Sequence, residues 1–362
     1  MARARHSREF PRHLATACSY WRCRGVAPSF RGHYPRKRTS PASHEQPLLA
    51  IISFAPTGPA NPSTSGHPAP MNSQTYTLEF ITPCFCAGAD QARAEIRAPA
   101  IRGQLRWWFR AFGGTRADEQ EVFGGIAGEE GRSSTLVVRV AELARGLPWR
   151  PPKVEPNAPE AYVWHYASVS GKQKGQPGPG PRWSEHGNLP PGTKVHLQLL
   201  WRRQPPPGAR QGFDDALKAF LALGAVGMRV TRGVGAFCCL ESPLTSQALA
   251  EVESLLKKHR FGFLVYRQGL SSWEEAIRAA GQTLKEDLRP RFPAGKLGDQ
   301  PGPLGSSKPR QTSGLYLRPV CITDNNTANN KYALCVFEAP AERVLGRESR
   351  RGAPALRVLR RR

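Results

Sequence analysis

The switch in hydrophobic period between residues 75 and 114 constrains the fold of this 362-residue chain more than any other feature. Tyr76, Leu78 and Phe80 alternate with Thr75, Thr77 and Glu79, the two-residue period of a half-buried strand. Pro83 ends that pattern. A loop through Gly88 and Asp90 leads to a helical run that opens at Pro99, where proline suits the first turn, and stops at Gly113-Gly114. The same mixture continues downstream. Strands are expected at Thr135 to Glu142, Lys194 to Trp201 and Ala236 to Glu241, and a pair at Leu315 to Thr323 and Tyr332 to Ala339 meets across Asn325-Asn326. Helices are expected at Phe213 to Leu223, Gln247 to Arg260 and Trp273 to Leu288. Short strands interleaved with helices, without a repeat of fixed period, imply an α+β plan with antiparallel sheet.

Charge sets the class of partner. The chain carries 52 Lys plus Arg against 28 Asp plus Glu, a net of +24, and a surplus of that size attracts polyanions, nucleic acid first and an anionic membrane surface second. Residues 1–70 hold ten basic residues against Glu9 and Glu45, so +16 of the surplus belongs to positions 71–362. The first 70 residues combine an Arg-rich opening with a Pro/Ser/Gly/Thr stretch, show no sustained period, and are expected to be disordered. Met71 stands directly before the first strand, so two readings of that segment remain: an extension ahead of a start at Met71, or a basic RNA-binding arm.

Other classes lose support. The longest apolar run, Leu48 to Ala55, is under half of the 18 or so residues that cross a bilayer, and it lies too far from residue 1 for a signal peptide; no membrane partner is expected. Eight cysteines in a chain this long read as reduced thiols of a cytoplasmic protein. No C-x-x-C pair appears and His165, His186, His196 and His259 lack partners at ligand spacing, so neither a metal site nor a cofactor is expected. Asp214-Asp215 reads as a dipole partner at a helix start. Metal-free RNA cleavage would want a His or Lys as general base, and none lies in a basic cluster, so no catalytic residue is assigned.

Two clusters carry the binding chemistry. On a wheel of about 100° per residue with Arg102 at zero, Arg106 falls near 40° and Arg110 near 80°, a cationic stripe without an interleaved acid. Ile101, Leu105, Trp108 and Phe112 gather between about 240° and 300°, the expected core face, while Trp107 lands near 140° beside the arginines. Such a ring can stack a base or pack under a loop, and packing is the favoured reading. The second cluster is Leu223 to Phe237, where Gly227, Gly233 and Gly235 allow close backbone approach and Arg229 and Arg232 supply charge for phosphates. It lacks the spacing of a Walker loop or a dinucleotide fingerprint, and a tight structural turn is its ordinary reading.

Taken together, the run from Tyr76 to Gly114 resembles the N-terminal signature of a RAMP protein of the type III-B CRISPR (Cmr) effector module, the subunit numbered one. The resemblance rests on a strand ending in Thr82-Pro83, then Ile96, Arg97, Ile101, Arg102, Gly103, Leu105, Arg106, Trp107, Trp108 and Arg110, followed by Val122-Phe123-Gly124. Arg232-Gly233-Val234-Gly235 is a looser match, with Val234 where the family usually has an aromatic residue. The resemblance implies two ferredoxin-like (RRM-like) domains with antiparallel sheets and long insertions. On that basis residues 71–205 would form the first RAMP domain, 206–342 the second with the glycine-rich loop, and 343–362 a basic C-terminal tail. It also implies a non-catalytic subunit that binds CRISPR RNA and target RNA beside other RAMP subunits. Arg97, Arg102, Arg106 and Arg110 would neutralise phosphates, Gly227, Arg229, Arg232, Gly233 and Gly235 would add contacts, and Trp107 would stack a base. A metal-independent RAMP endoribonuclease that processes CRISPR RNA precursors shares the fold and stands as the alternative.

Overall fold

The computed structural model describes residues 73–87, 93–127, 130–152, 154–155, 158–164, 187–292, 296–297, 300–307, 310–323, 331–344 and 354–361. The expectations for residues 1–70, Asp90, His165, His186 and the Asn325-Asn326 connection lie outside these. The described residues belong to one compact unit.

A four-stranded antiparallel sheet comes first. Its strands are β1 (Ser73–Phe80), β4 (Leu136–Ala144), β5 (Lys194–Trp201) and β6 (Phe237–Cys239), in the spatial order β4-β5-β1-β6. Helix α1 (Ala98–Ala111) follows β1, and helix α3 (Pro207–Leu223) follows β5. The alternation in β1 holds, with Leu78 and Phe80 buried, and in β5 Val195, Leu197, Leu199 and Trp201 fill the same face. Helices α1 and α3 cover that face. Ile101, Leu105, Trp108 and Phe112 are buried as the wheel requires, and Phe109 joins them.

Two elements in this half were not legible beforehand: helix α2 (Arg116–Phe123) and a short hairpin of β2 (Gly125–Ala127) and β3 (Glu130–Arg132). Helix α2 has its start written locally, because the Thr115 hydroxyl accepts the Asp118 N–H, the Ser/Thr-x-x-acid pattern of an N-cap. Helix α3 begins six residues earlier than expected, at Pro207, since Pro206-Pro207 can open a helix but not continue one. Asp214 and Asp215 are therefore mid-helix, held by Arg210 and by His259 and Lys258, and not at a dipole terminus.

A second, three-stranded antiparallel sheet has the order β8-β9-β7. It comprises β7 (Gly262–Leu270), which sequence periodicity missed, β8 (Leu315–Ile322) and β9 (Lys331–Glu338). A bulged register and an exposed second half blur the period of β7. Helix α4 (Ser246–Lys258) precedes the sheet; helix α5 (Trp273–Gln282) lies within it in sequence and runs on as a π-helical turn, Thr283–Leu288. Helix α6 (Ala341–Val344) and helix α7 (Pro354–Leu359) close the described chain.

One face of this sheet, with Leu315, Leu317, Leu334 and Val336, packs with Leu284, Leu288, Ala355, Leu356 and Leu359. The other, with Tyr316, Val320, Cys335 and Phe337, shares the core of α1. Trp108 lies stacked near Phe261, centroids 5.9 Å apart, and 5.4 Å from Phe337.

Two expectations change. The boundary at 205/206 runs through the first sheet, because α3 covers it and β6 pairs with β1. The C-terminal segment is not simply a basic tail: α7 buries Ala355, Leu356 and Leu359, and its first amides donate to the carboxylate of Glu338.

Candidate nucleic-acid interface

Helix α1 presents its arginines toward α2, and α2 answers with acid. The Glu119 carboxylate is 6% exposed and takes four guanidinium contacts: Arg106 Nε at 2.8 Å and Nη2 at 2.5 Å, Arg110 Nη2 at 2.6 Å, and Arg110 Nε. Burial pushes the carboxyl upward, but the hydrogen bonds from Arg110 and Arg106 outweigh it and hold Glu119 below the usual carboxylate range. Arg102 donates to the Phe123 carbonyl at the end of the same helix, and burial, then Arg106, lowers its pKa.

The stripe is therefore not unneutralised, as its own sequence suggested; the acid comes from a neighbouring helix rather than from α1. Glu121, two residues on, repeats the device by pairing with Arg132 and with Arg203 at 3.3 Å. On the α1 side three guanidiniums stand against the one carboxylate of Glu119, so that face keeps two positive charges, with Arg106 and Arg110 held by the acid and Arg102 by the Phe123 carbonyl, while Glu121 and its two arginines lie on another side of α2. Arg97, at the N-cap of α1, is exposed and its side chain has no partner among the described residues.

Trp107 is half-buried and packs, with its ring 4.8 Å from Tyr316 on β8 and 5.1 Å from Trp108. Tyr316 in turn stacks in parallel on Phe337 at 4.9 Å. The indole is thus a bridge between α1 and the second sheet, which accords with the packing reading.

The glycine-rich cluster turns inward. Gly227, Gly233 and Gly235 all have positive φ, and the space a side chain would need is taken by the protein's own chain. A Cβ on Gly227 would stand 2.7 Å from the Phe85 carbonyl, and one on Gly235 would collide with that of Val226. Met228 and Gly235 donate their N–H groups to Phe85 and Pro83. The turn is a backbone clamp on the loop after β1, with Val234 fully buried beside Phe85, Trp164 and Ile277.

Arg229, itself at φ 61°, donates to the Tyr162 carbonyl at 2.5 Å, and Arg232 donates to Leu304 at 2.9 Å. Arg232 is 8% exposed; burial, with help from Arg229, brings its pKa down to about 10. These two arginines are not on the α1–α2 face, so the ten expected contact residues divide into one basic surface, one aromatic bridge and one internal clamp.

Two further arginine-related features escaped sequence reading. Glu119 could have been found through the Thr115 cap that announces α2. Arg318, buried in β8, carries no local signal, since a charged residue in the middle of a strand is ordinarily at the surface.

The RAMP superfamily family model matches residues 77–238, from β1 to the end of β6. Two curated relatives from Pyrococcus furiosus are similar in sequence: CRISPR system Cmr subunit Cmr1-2, 34% identical over 87 residues (22% of this chain, 46% of the relative), and Cmr1-1, 27% identical over 168 residues (45% and 44%). The matches thus span about half the length of either relative. Among solved structures, apo Cmr1 from Pyrococcus furiosus is similar with a TM-score of 0.47 at 20% identity, covering 74% of this chain and 88% of that one. A chain of a type III-B Cmr-beta complex bound to cognate target RNA scores 0.41 at 11% identity, covering 73% and 94%. The superfamily match spans the first sheet and the Arg-Gly-x-Leu-Arg-Trp-Trp helix, so over residues 77–238 the chain is similar to the RAMP superfamily, and the curated relatives it resembles are Cmr1 subunits of CRISPR systems.

Proposed function

We propose that this chain is a non-catalytic RNA-binding subunit of a type III-B CRISPR effector complex in the cytoplasm, binding CRISPR RNA and target RNA beside other RAMP subunits. The observation that carries the reading is the α1–α2 face, where Arg102, Arg106 and Arg110 stand against the single carboxylate of Glu119, with exposed Arg97 at the N-cap of α1. A guanidinium fixed in orientation loses little entropy when it meets a phosphate, and its planar fork suits the oxyanion. The first sheet supports the fold reading as well: β1-α1-β4-β5-α3-β6, with the strands in the spatial order fourth, first, third, second when read from the β6 edge, is a ferredoxin-like connection. The second sheet with α4 and α5 would be a reduced relative of it. Among the described residues, no helix is long and apolar enough to cross a membrane.

The test is a salt titration of single-stranded RNA binding by the full chain. Arg97→Ala should lower the log–log slope by about 0.7 and leave the melting temperature unchanged, because the side chain is exposed and unpaired among the described residues. A slope equal to that of the unaltered chain would remove Arg97 from the interface. Cleavage of a CRISPR repeat RNA in EDTA by the purified chain would favour the endoribonuclease instead.

A further inference from the structure

Strand β1 is longer than the strand that covers its outer edge. In an antiparallel sheet, alternate residues of a strand turn their N–H and C=O groups to opposite neighbours. The Phe80 N–H donates to the Thr193 carbonyl and the Phe80 carbonyl accepts from Gly192, so the even-numbered residues of β1 face β5. The Thr77 carbonyl accepts from Leu240, so the odd-numbered ones face β6. Yet β6 pairs only with Leu78, Glu79 and Phe80. The chain then turns away, and the Glu241 carboxylate takes the Thr77 N–H at 2.6 Å, where a further strand residue would otherwise stand. Thr75 and Ser73 come next along this edge. Both are exposed, and their outward backbone groups meet no partner among the described residues.

Beside this open stretch lies a groove of about 360 Å³. Gln74 and Tyr76 of β1 form one wall, Leu217 and Leu221 of α3 a second, and Leu244 with Val252 of α4 a third. The carboxamide oxygen of Gln74 is buried without a partner among the described residues. Charges lining the groove are already paired, Arg210 with Asp214 at 2.9 Å and Lys218 with Glu251 at 2.7 Å. An unpaired strand edge is a template for another strand, whose side chains would project alternately to the two faces. Those on the helix side would enter the groove, and the others would lie in solvent beside Ser73 and Thr75.

We infer that the N-terminal half of β1 receives an extended segment of a neighbouring protein subunit, added antiparallel beside Ser73 and Thr75 along the track that β6 leaves, with an apolar side chain seated between α3 and α4. The edge itself selects this partner. A peptide backbone supplies both the acceptor and the donor that Thr75 lacks, at strand spacing, whereas the paired charges of the groove offer little to a polyanion. The inference rests on the reading of the chain as a subunit of an assembly, and it adds a protein contact to a surface apart from the α1–α2 arginines.

Amide hydrogen exchange on the full chain, alone and in the effector complex assembled from purified subunits, tests it. The Thr75 amide should exchange at least about tenfold more slowly in the complex. Thr75→Pro removes that N–H and blocks the edge without touching a hydrogen bond to β5, so the melting temperature and RNA binding of the free chain should hold while entry into the complex weakens about tenfold. Ala248→Phe fills the groove from α4 with the edge intact, and should weaken entry likewise. A Thr75 amide already protected in the free chain would overturn the inference: the occupant is then the chain itself if protection is independent of concentration, and a second copy if it grows with concentration. An unprotected Thr75 in the assembled complex would overturn it too, as would variants that assemble like the unaltered chain. RNA affinity lost in Thr75→Pro would assign the edge to RNA instead. An unaltered chain that does not enter the complex at all would refute the proposed function, and the inference with it.

Discussion

Glu119→Gln tests whether the α1–α2 arginines serve the fold or the ligand. The carboxylate receives contacts from both Arg106 and Arg110 and is itself buried, while the two guanidiniums are 36% and 55% exposed. A hydrogen bond to a charged group contributes about 1.5–3 kcal/mol, but exposed arginines recover hydration when the acid is removed, so the loss is about 2 kcal/mol rather than the sum of four bonds. For a chain of this size that is a fall of about 4 °C in melting temperature. The effect on RNA has the opposite sign. Removing one negative charge about 6 Å from a bound phosphate is worth about 0.7 kcal/mol in water, roughly a threefold gain in affinity at low salt that fades as salt screens it. Calorimetry and fluorescence anisotropy on the same samples read both numbers. RNA affinity that falls together with stability would refute the reasoning, because it would mean that Glu119 is required to present the arginines. Acid should act like the substitution: since the folded carboxyl lies below its unfolded range, the stabilisation is present above pH 4.5 and is lost as pH falls through the folded value.

Two further predictions concern the fold. Glu338 is buried and burial raises its pKa to about 8, so between pH 4.5 and 8 the folded chain holds a proton that the unfolded chain has released. Stability should therefore decline as pH rises across that window; urea midpoints of Glu338→Gln that decline equally would show that other groups cause the slope. Gly235→Ala should destabilise by about 3 kcal/mol or more, because a positive φ and a collision with the Val226 carbonyl act together, and a urea midpoint within error of the unaltered chain would refute the clamp.

The elements whose burial follows a clean period were legible in the sequence. The β1 alternation, the α1 core face and the β8–β9 pairing stand as expected because each side chain's environment is set by its own strand or helix. What was not legible is long-range. Glu119 is nine residues from Arg110, yet its role depends on an α1–α2 turn that the wheel of α1 alone does not contain. Arg229 and Arg232 look like phosphate ligands in a glycine-rich run, and only tertiary structure supplies the carbonyls of Tyr162 and Leu304 that occupy them. The first sheet crosses 205/206 for a topological reason: β6 returns across more than 150 residues to pair with β1, and no local signal marks such a return.

Helix α1 carries arginines on one side and, on the other, Trp108 wedged against Phe261 and Phe337 of the second half. Mechanically it is a lever. A rod gripped by the second sheet through Trp108 and tied to α2 through Glu119 and the Phe123 carbonyl can answer a slide of that sheet only by carrying α2 with it, so Arg102, Arg106 and Arg110 would shift together with the acid that holds them. Load applied at one end of the chain would be felt as a displacement of both helices at the other, and the indole of Trp108 is the fulcrum.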